Sequence, residues 1–265
     1  MKKIFLLMLA MIVANILSAQ NSGYLGKKFT IYSDLLLSKN ITEPNRFESK
    51  AIYAFNDRYK ISGDYVLGRN FSAGLSMEYF STCFKFSKGF NIDVTNTDYN
   101  NIYSSSYSYY IGSLSDVDNT FFGKLNVLSY GAHVNFFLFD DIAPLGRYIG
   151  FELMSMNYNV NYDKNKFKNT INNILDPQGQ LSYTYDLNNK TSYNTLAFLI
   201  NVGQQRIFNN NILFRTSIQT GLVFGGYSLI DDEKLKWADY FDQIPKSRLA
   251  SLVVLSFNIG IGYVF

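Results

Sequence analysis

Val253-Val254-Leu255-Ser256-Phe257-Asn258-Ile259-Gly260-Ile261-Gly262-Tyr263-Val264-Phe265 is the stretch that decides the fold. Counting in twos from Val253 gives Leu255, Phe257, Ile259, Ile261, Tyr263 and Phe265, every one large and apolar. Between them stand Val254, Ser256, Asn258, Gly260, Gly262 and Val264, small or weakly polar. A period of two held for thirteen residues belongs to a strand and not to a helix. It outruns the usual strand of ~5–6 residues and covers the ~9–11 that a tilted strand needs to cross a bilayer.

Working upstream, the same alternation returns seven times. Ile212, Phe214, Ile218, Leu222 and Phe224 stand against Arg215, Ser217, Gln219, Gly221 and Gly225. Leu196, Phe198, Ile200 and Val202 alternate with Thr195, Ala197, Asn201 and Gly203. Tyr130, Ala132, Val134, Phe136 and Leu138 alternate with Ser129, Gly131, His133 and Asn135. Phe71, Ala73, Leu75, Met77 and Tyr79 face away from Ser72, Gly74, Ser76 and Glu78. Tyr59, Ile61, Tyr65 and Leu67 face away from Lys60, Ser62, Asp64 and Val66. Phe29, Ile31, Leu35 and Leu37 oppose Lys28, Thr30, Tyr32 and Asp34. The run Tyr148–Val160 is the least regular, and its Met154–Tyr158 half predicts a bulge.

The connections alternate as well. Gly68-Arg69-Asn70, residues 140–146 and Asn209-Asn210-Asn211 are short, whereas residues 39–57, 87–120, 162–190 and 231–247 are long and polar. Long loops on one side and short turns on the other are the pattern of a transmembrane barrel. The chain therefore reads as all-β: an eight-stranded antiparallel transmembrane β-barrel with long extracellular loops and short periplasmic turns. A soluble lipocalin-like barrel needs regular charges outside, and the second face of the last strand has none.

Composition agrees. Aromatics reach 17% of the 265 residues, and charged residues are only 17%. Lys2 and Lys3, the apolar run Ile4–Leu17 and Ser18-Ala19-Gln20 form the three regions of a secretory signal peptide, so residues 1–20 are expected to be cleaved and 21–265 to form the barrel. Without Lys2 and Lys3 the formal charge falls from +3 to +1, which argues against a nucleic-acid partner. One Cys (Cys83) and one His (His133) leave little for an intrachain disulfide, a metal or a cofactor, and none is expected. Cys83, in the outward phase, reads as a small apolar filler.

On Gly262-Tyr263-Val264-Phe265, the turn Gly68-Arg69-Asn70-Phe71 and the opening Gly23-Tyr24-Leu25-Gly26-Lys27-Lys28-Phe29, the chain resembles the small outer-membrane β-barrels of Gram-negative bacteria, especially a Bacteroidota branch that includes PorT-like members. The resemblance implies an outer-membrane location and contact with outer-membrane lipids and lipopolysaccharide. It also implies an assembly signal in Tyr263 and Phe265 read by the outer-membrane insertion machinery. Some similar proteins are accessory components of type IX secretion, which implies envelope protein partners.

The inward phase collects Lys28, Lys60 and Arg215 with Asp34, Asp64, Glu78 and Glu152, plus Gln219 and His133. Eight strands enclose a lumen just wide enough for side chains to fill, so these charges are expected to pair in a closed core. The alternative is a narrow path for a small solute. Another is a lipid-modifying enzyme that uses His133, but Ser129 stands four residues away on the same strand, roughly 13 Å, and the site faces the lumen. Residues 91–119, rich in Tyr, Ser and Asn, read as a recognition surface or a solvated loop. Asp231-Asp232-Glu233 followed by Leu235, Trp237, Ala238, Tyr240, Phe241 and Ile244 predicts a short helix ending at Pro245, lying at the membrane interface or against a partner. Lys164–Leu175 predicts a second helical turn. The function expected is that of a non-enzymatic outer-membrane barrel acting as a structural or accessory subunit.

Overall fold

In the computed structural model the described residues are 24–39, 55–85, 90–97, 104–111, 122–138, 141–175, 183–184, 192–208, 211–225 and 237–265. The signal-peptide reading of residues 1–20 and the proposed cap at residues 231–233 lie outside them. Eleven strands are found among the described residues: β1 (Phe29–Lys39), β2 (Phe55–Gly68), β3 (Phe71–Lys85), β4 (Phe90–Thr97), β5 (Ser104–Ile111), β6 (Phe122–Phe137), β7 (Gly146–Asn161), β8 (Tyr183–Thr184), β9 (Ser192–Phe208), β10 (Ile212–Val223) and β11 (Ser256–Val264). Two helices accompany them, α1 (Lys164–Leu175) and α2 (Trp237–Val253).

Eight of the strands close into an antiparallel barrel in the order β1-β11-β10-β9-β7-β6-β3-β2. Each is joined to its neighbour in sequence, and β1 meets β11 along Thr30↔Val264 to Ser38↔Ser256. Closure leaves no free edge. Residues 68–71, 141–145 and Asn211 gather at one end, called here the turn end, with Lys28 and Phe265. At the opposite loop end, β4, β5 and β8 form a separate three-stranded sheet in the order β5-β4-β8.

Three expectations are corrected. The predicted bulge at Met154–Tyr158 is absent, since β7 runs in unbroken register with both β6 and β9; the irregularity lies instead between Val66 and Gly68. The last strand begins at Ser256 and not at Val253, because Val253 ends α2 and is wholly buried. Nor does that helix stop at Pro245: it runs 17 residues with the proline inside. Its ring forfeits one backbone hydrogen bond. The second half survives because Leu249, Ala250, Leu252 and Val253 are completely buried in the barrel mouth. Each fully buried Leu or Val contributes about 1.5–3 kcal/mol.

The burial pattern is inverted relative to a water-soluble protein. Outward-facing Leu75, Ile261, Leu222 and Val202 are 70%, 62%, 59% and 55% exposed, while Asp64, Glu78, Lys60 and Arg215 are buried. The expected outward and inward phases of β1, β2, β3, β6, β9 and β10 are those observed. Cys83, placed in the outward phase, is nonetheless buried.

Candidate functional site

The lumen is filled in three layers. Each barrel strand contributes alternate side chains inward, so position along the strand sets depth. Nearest the turn end lies an apolar layer, with Val66, Phe137, Ala143 and Tyr148 in one cluster and Tyr32, Leu213 and Val264 in another. At the loop end lies a second, larger one. There Phe80 and Phe84 of β3, Leu125 and Val127 of β6, Met154 and Met156 of β7, and Ala197 and Leu199 of β9 pack on Leu249, Leu252 and Val253 of α2. Helix α1 caps the same cluster with Phe167 and Ile171, one turn apart. Asp163 starts that helix, its Oδ1 accepting from the backbone N–H groups of Asn165 and Lys166 at 3.0 Å each.

Between the apolar layers the charges are sealed in pairs. Arg58 donates through Nε to Glu78 Oε1 at 2.7 Å and through Nη2 to Oε2 at 3.1 Å, with both side chains at 0% exposure. Lys60 Nζ reaches Glu152 Oε2 at 2.5 Å, and the Ser76 hydroxyl donates to Oε1 of the same carboxylate at 2.5 Å. Asp64 pairs with His133 Nε2 and accepts from the Tyr32 hydroxyl at 3.0 Å and Asn135 Nδ2 at 2.9 Å. Arg215 lies between the rings of Tyr32 and Tyr148, 4.5 and 4.8 Å from their centroids, and donates to the Tyr148 hydroxyl at 2.6 Å. Its Nη1 is 3.9 Å from Asp34 Oδ2, a Coulombic contact beyond hydrogen-bond range. Gln219 is buried here and accepts weakly from Asn258 Nδ2 at 3.5 Å.

Inward-facing glycines make room for these pairs. A Cβ on Gly131 would stand 2.6 Å from both Glu152 Oε1 and Ser76 Oγ, and one on Gly260 would run into Asp34 Oδ1. At these two positions the missing side chain is what lets a carboxylate lie against the wall.

Lys28 departs from the expected set. It precedes β1, is half-buried at the turn end, and joins none of the ion pairs found among the described residues. Its place is taken by Arg58, which the sequence reading passed over because it began β2 at Tyr59. The spacing Asn56, Arg58, Lys60 continues the inward phase and was the available signal.

Arg58 also ties the helix to the wall. Its Nη1 donates to the backbone carbonyl of Leu252, in the last turn of α2, and to Ser38 and Ser256 hydroxyls, at 3.3 Å each. A cation at a helix C-terminus meets the negative end of its dipole. Farther up, Arg248 of α2 donates to Thr82 Oγ1 at 3.0 Å. The second half of α2 is therefore a plug anchored inside the mouth. Leu235 lies outside the described residues, and of Trp237 and Phe241 only the backbone, within the first five residues of α2, is described.

His133 faces Asp64 and Tyr32 inside the sealed layer, while Ser129 Oγ is buried without a partner. No group of three or more His, Cys, Asp or Glu side chains among the described residues is placed to hold a metal ion. Residues 90–97 and 104–111, expected to form loop, are instead the β4–β5 hairpin of the second sheet. On the outside, Tyr263 and Phe265 are exposed at the turn end with ring centroids 4.8 Å apart, and Phe265 meets Phe29 at 5.9 Å. The backbone of Phe265 completes the seam, its N–H donating to the carbonyl of Phe29 at 2.8 Å.

No family model matches this chain, and no curated protein does. Among solved structures it is similar to Neisserial surface protein A (12% identity, TM-score 0.42, 89% of this chain and 97% of that one). It is also similar to Ail, the attachment invasion locus protein of Yersinia pestis, in complex with the heparin analogue sucrose octasulfate (12%, TM-score 0.40, 90% and 99%). A third similar structure is the N-terminal β-barrel domain of Pseudomonas aeruginosa OprF (12%, TM-score 0.36, 89% and 97%). The barrel is established by its own strand pairing.

Proposed function

We propose that this chain is an integral outer-membrane β-barrel of a Gram-negative envelope, non-enzymatic, serving as a structural or accessory subunit through its outer wall and loop-end surface. The observation that carries the reading is the inverted burial: apolar side chains cover the outside of a closed barrel whose polar side chains are inside. So wide an apolar surface is not stable in water. A closed barrel is one of the two folds that satisfy every backbone group in a bilayer. Aromatics at the turn end, with Phe71 and Phe136 at 5.1 Å and Phe208 and Phe214 at 6.3 Å, suit a membrane–water boundary.

The layered lumen favours this role over the small-solute channel. A path along the axis would have to break two apolar layers and a set of buried ion pairs. It also disfavours the lipid-modifying enzyme, because His133 is enclosed and, among the described residues, its side-chain partners are Asp64 and Tyr32, themselves buried in the sealed layer, with no serine or cysteine. A role in secretion, and the PorT-like assignment, rest on the sequence resemblance alone.

The test is purification of a tagged copy from its native membrane in mild detergent, with mass spectrometry of what accompanies it. A stoichiometric envelope protein supports the accessory role, and a chain that purifies alone refutes it. Altered lipid A on overexpression, abolished by His133→Ala, would instead establish the enzyme.

A further inference from the structure

The outer wall is dented where β1 closes on β11. The outward row of β1 is Phe29, Ile31, Ser33, Leu35 and Leu37, so Ser33 is its one small polar member. Ser33 is registered against Ile61 on β2 and Ile261 on β11. In the next row toward the turn end, Ile31 is registered against Gly63 on one side and Tyr263 on the other. Phe29 covers Gly63, but the short Ser33 among long side chains leaves a groove of about 520 Å³, lined by Ile31, Ile61, Ile212, Ile261, Tyr263 and Phe265 with Ser33 at its floor. From Phe265 to Ile261 it runs roughly 13 Å along the strand.

The turn-end rim of the groove is polar and cationic. Lys27 Nζ donates to Asn211 Oδ1, and Asn211 Nδ2 donates to the Tyr263 hydroxyl, which belongs to the same side chain that walls the groove. The Phe265 backbone oxygen at this rim is engaged by the N–H groups of Lys28 and Phe29, at 3.1 and 3.5 Å. An apolar trough leads out to an ammonium group, an amide and a phenol.

We propose that this seam binds one glycerophospholipid of the turn-side leaflet, its anionic headgroup held by Lys27 and one acyl chain laid in the groove over Ser33. The inference rests on the membrane-spanning reading above. Both halves of the ligand are matched. A hydrocarbon chain gains more contact in a groove than on a flat wall. A lysine close to the surface attracts an anionic headgroup over a zwitterionic one.

The experiment is native mass spectrometry of the full chain released from nanodiscs of equal phosphatidylglycerol and phosphatidylethanolamine, activated until loosely held lipid is stripped. One phosphatidylglycerol per barrel is expected to persist. Ser33→Leu, which fills the floor from the lipid-facing side and leaves the interior untouched, should lower its occupancy at least ~5-fold. Lys27→Gln should keep a bound lipid but lose the headgroup preference, and an unchanged preference would overturn the headgroup assignment. If Ser33→Leu retains the same lipid as the native chain, or the native chain enters nanodiscs and retains none, the site is refuted and the membrane reading stands. A native chain that does not enter nanodiscs refutes both.

Discussion

Substituting Glu78→Gln removes the negative half of an ion pair in which both side chains are at 0% exposure. Arg58 then faces no anion: it keeps neutral acceptors, the amide oxygen of the introduced glutamine and, at 3.3 Å each, the Leu252 carbonyl and the hydroxyls of Ser38 and Ser256, besides the Phe80 ring at 5.4 Å. Leaving a buried charge without its counter-ion costs about 3–5 kcal/mol, roughly two to three and a half powers of ten in the folding equilibrium. Replacing both partners with apolar residues of similar size, Arg58→Met with Glu78→Leu, removes the orphan charge. Ser38 and Ser256 still bond each other at 2.8 Å, and the Ser256 hydroxyl still donates to the Leu252 carbonyl at 3.3 Å. The double variant should therefore lie within about 2 kcal/mol of the native chain, since exchanging a whole buried pair is often near neutral. The assay is urea titration in detergent micelles, following the fraction of compact barrel by unheated gel migration. A cost below about 1 kcal/mol for Glu78→Gln would mean that water reaches the pair, and would refute the sealed lumen.

Other consequences are open to the same titration. Gly131→Val drives a side chain into Glu152 and Ser76 and should cost about 1–3 kcal/mol by overpacking, whereas Ala132→Val, facing outward next to it, should change the urea midpoint little. Ile259→Arg places a charge on the outward face and should destabilise the barrel by about 2–4 kcal/mol in a bilayer if it lies near mid-depth; no loss would argue that this face meets water. Deleting Phe265 removes its seam hydrogen bonds and its contacts with Phe29 and Tyr263, and should reduce the heat-modifiable barrel recovered from outer membranes; normal recovery would contradict a role in assembly.

What could be read from the sequence was decided by how different the two faces of each strand are. Where a polar lumen meets an apolar exterior, as in Ser72–Tyr79 or Phe257–Phe265, alternation is plain and the phase is unambiguous. It fails where α1 and α2 fill the mouth. There the inward Met154, Met156 and Tyr158 are apolar and the outward Ser155, Asn157 and Asn159 are polar, so the apolar phase changes face after Leu153 and regular pairing looked like a bulge. The run Leu252–Leu255 is apolar throughout, so its change from helix to strand leaves no mark in the pattern. Arg58 was missed for a related reason, since Asn56-Asp57-Arg58 is polar on both faces although two of its members point inward. In β5 the alternating residues are Ser and Tyr, and neither phase reads as a buried face, whereas in β4 Phe90, Ile92 and Val94 alternate with Asn91, Asp93 and Thr95 and were an available strand signal.

The claim that this barrel acts by its surfaces and not through its lumen is tested most directly by ion flux across proteoliposomes in which inserted, heat-modifiable protein has been counted. The layered lumen predicts flux no greater than that of protein-free liposomes at any protein density. Flux that rises in proportion to inserted barrel would contradict it.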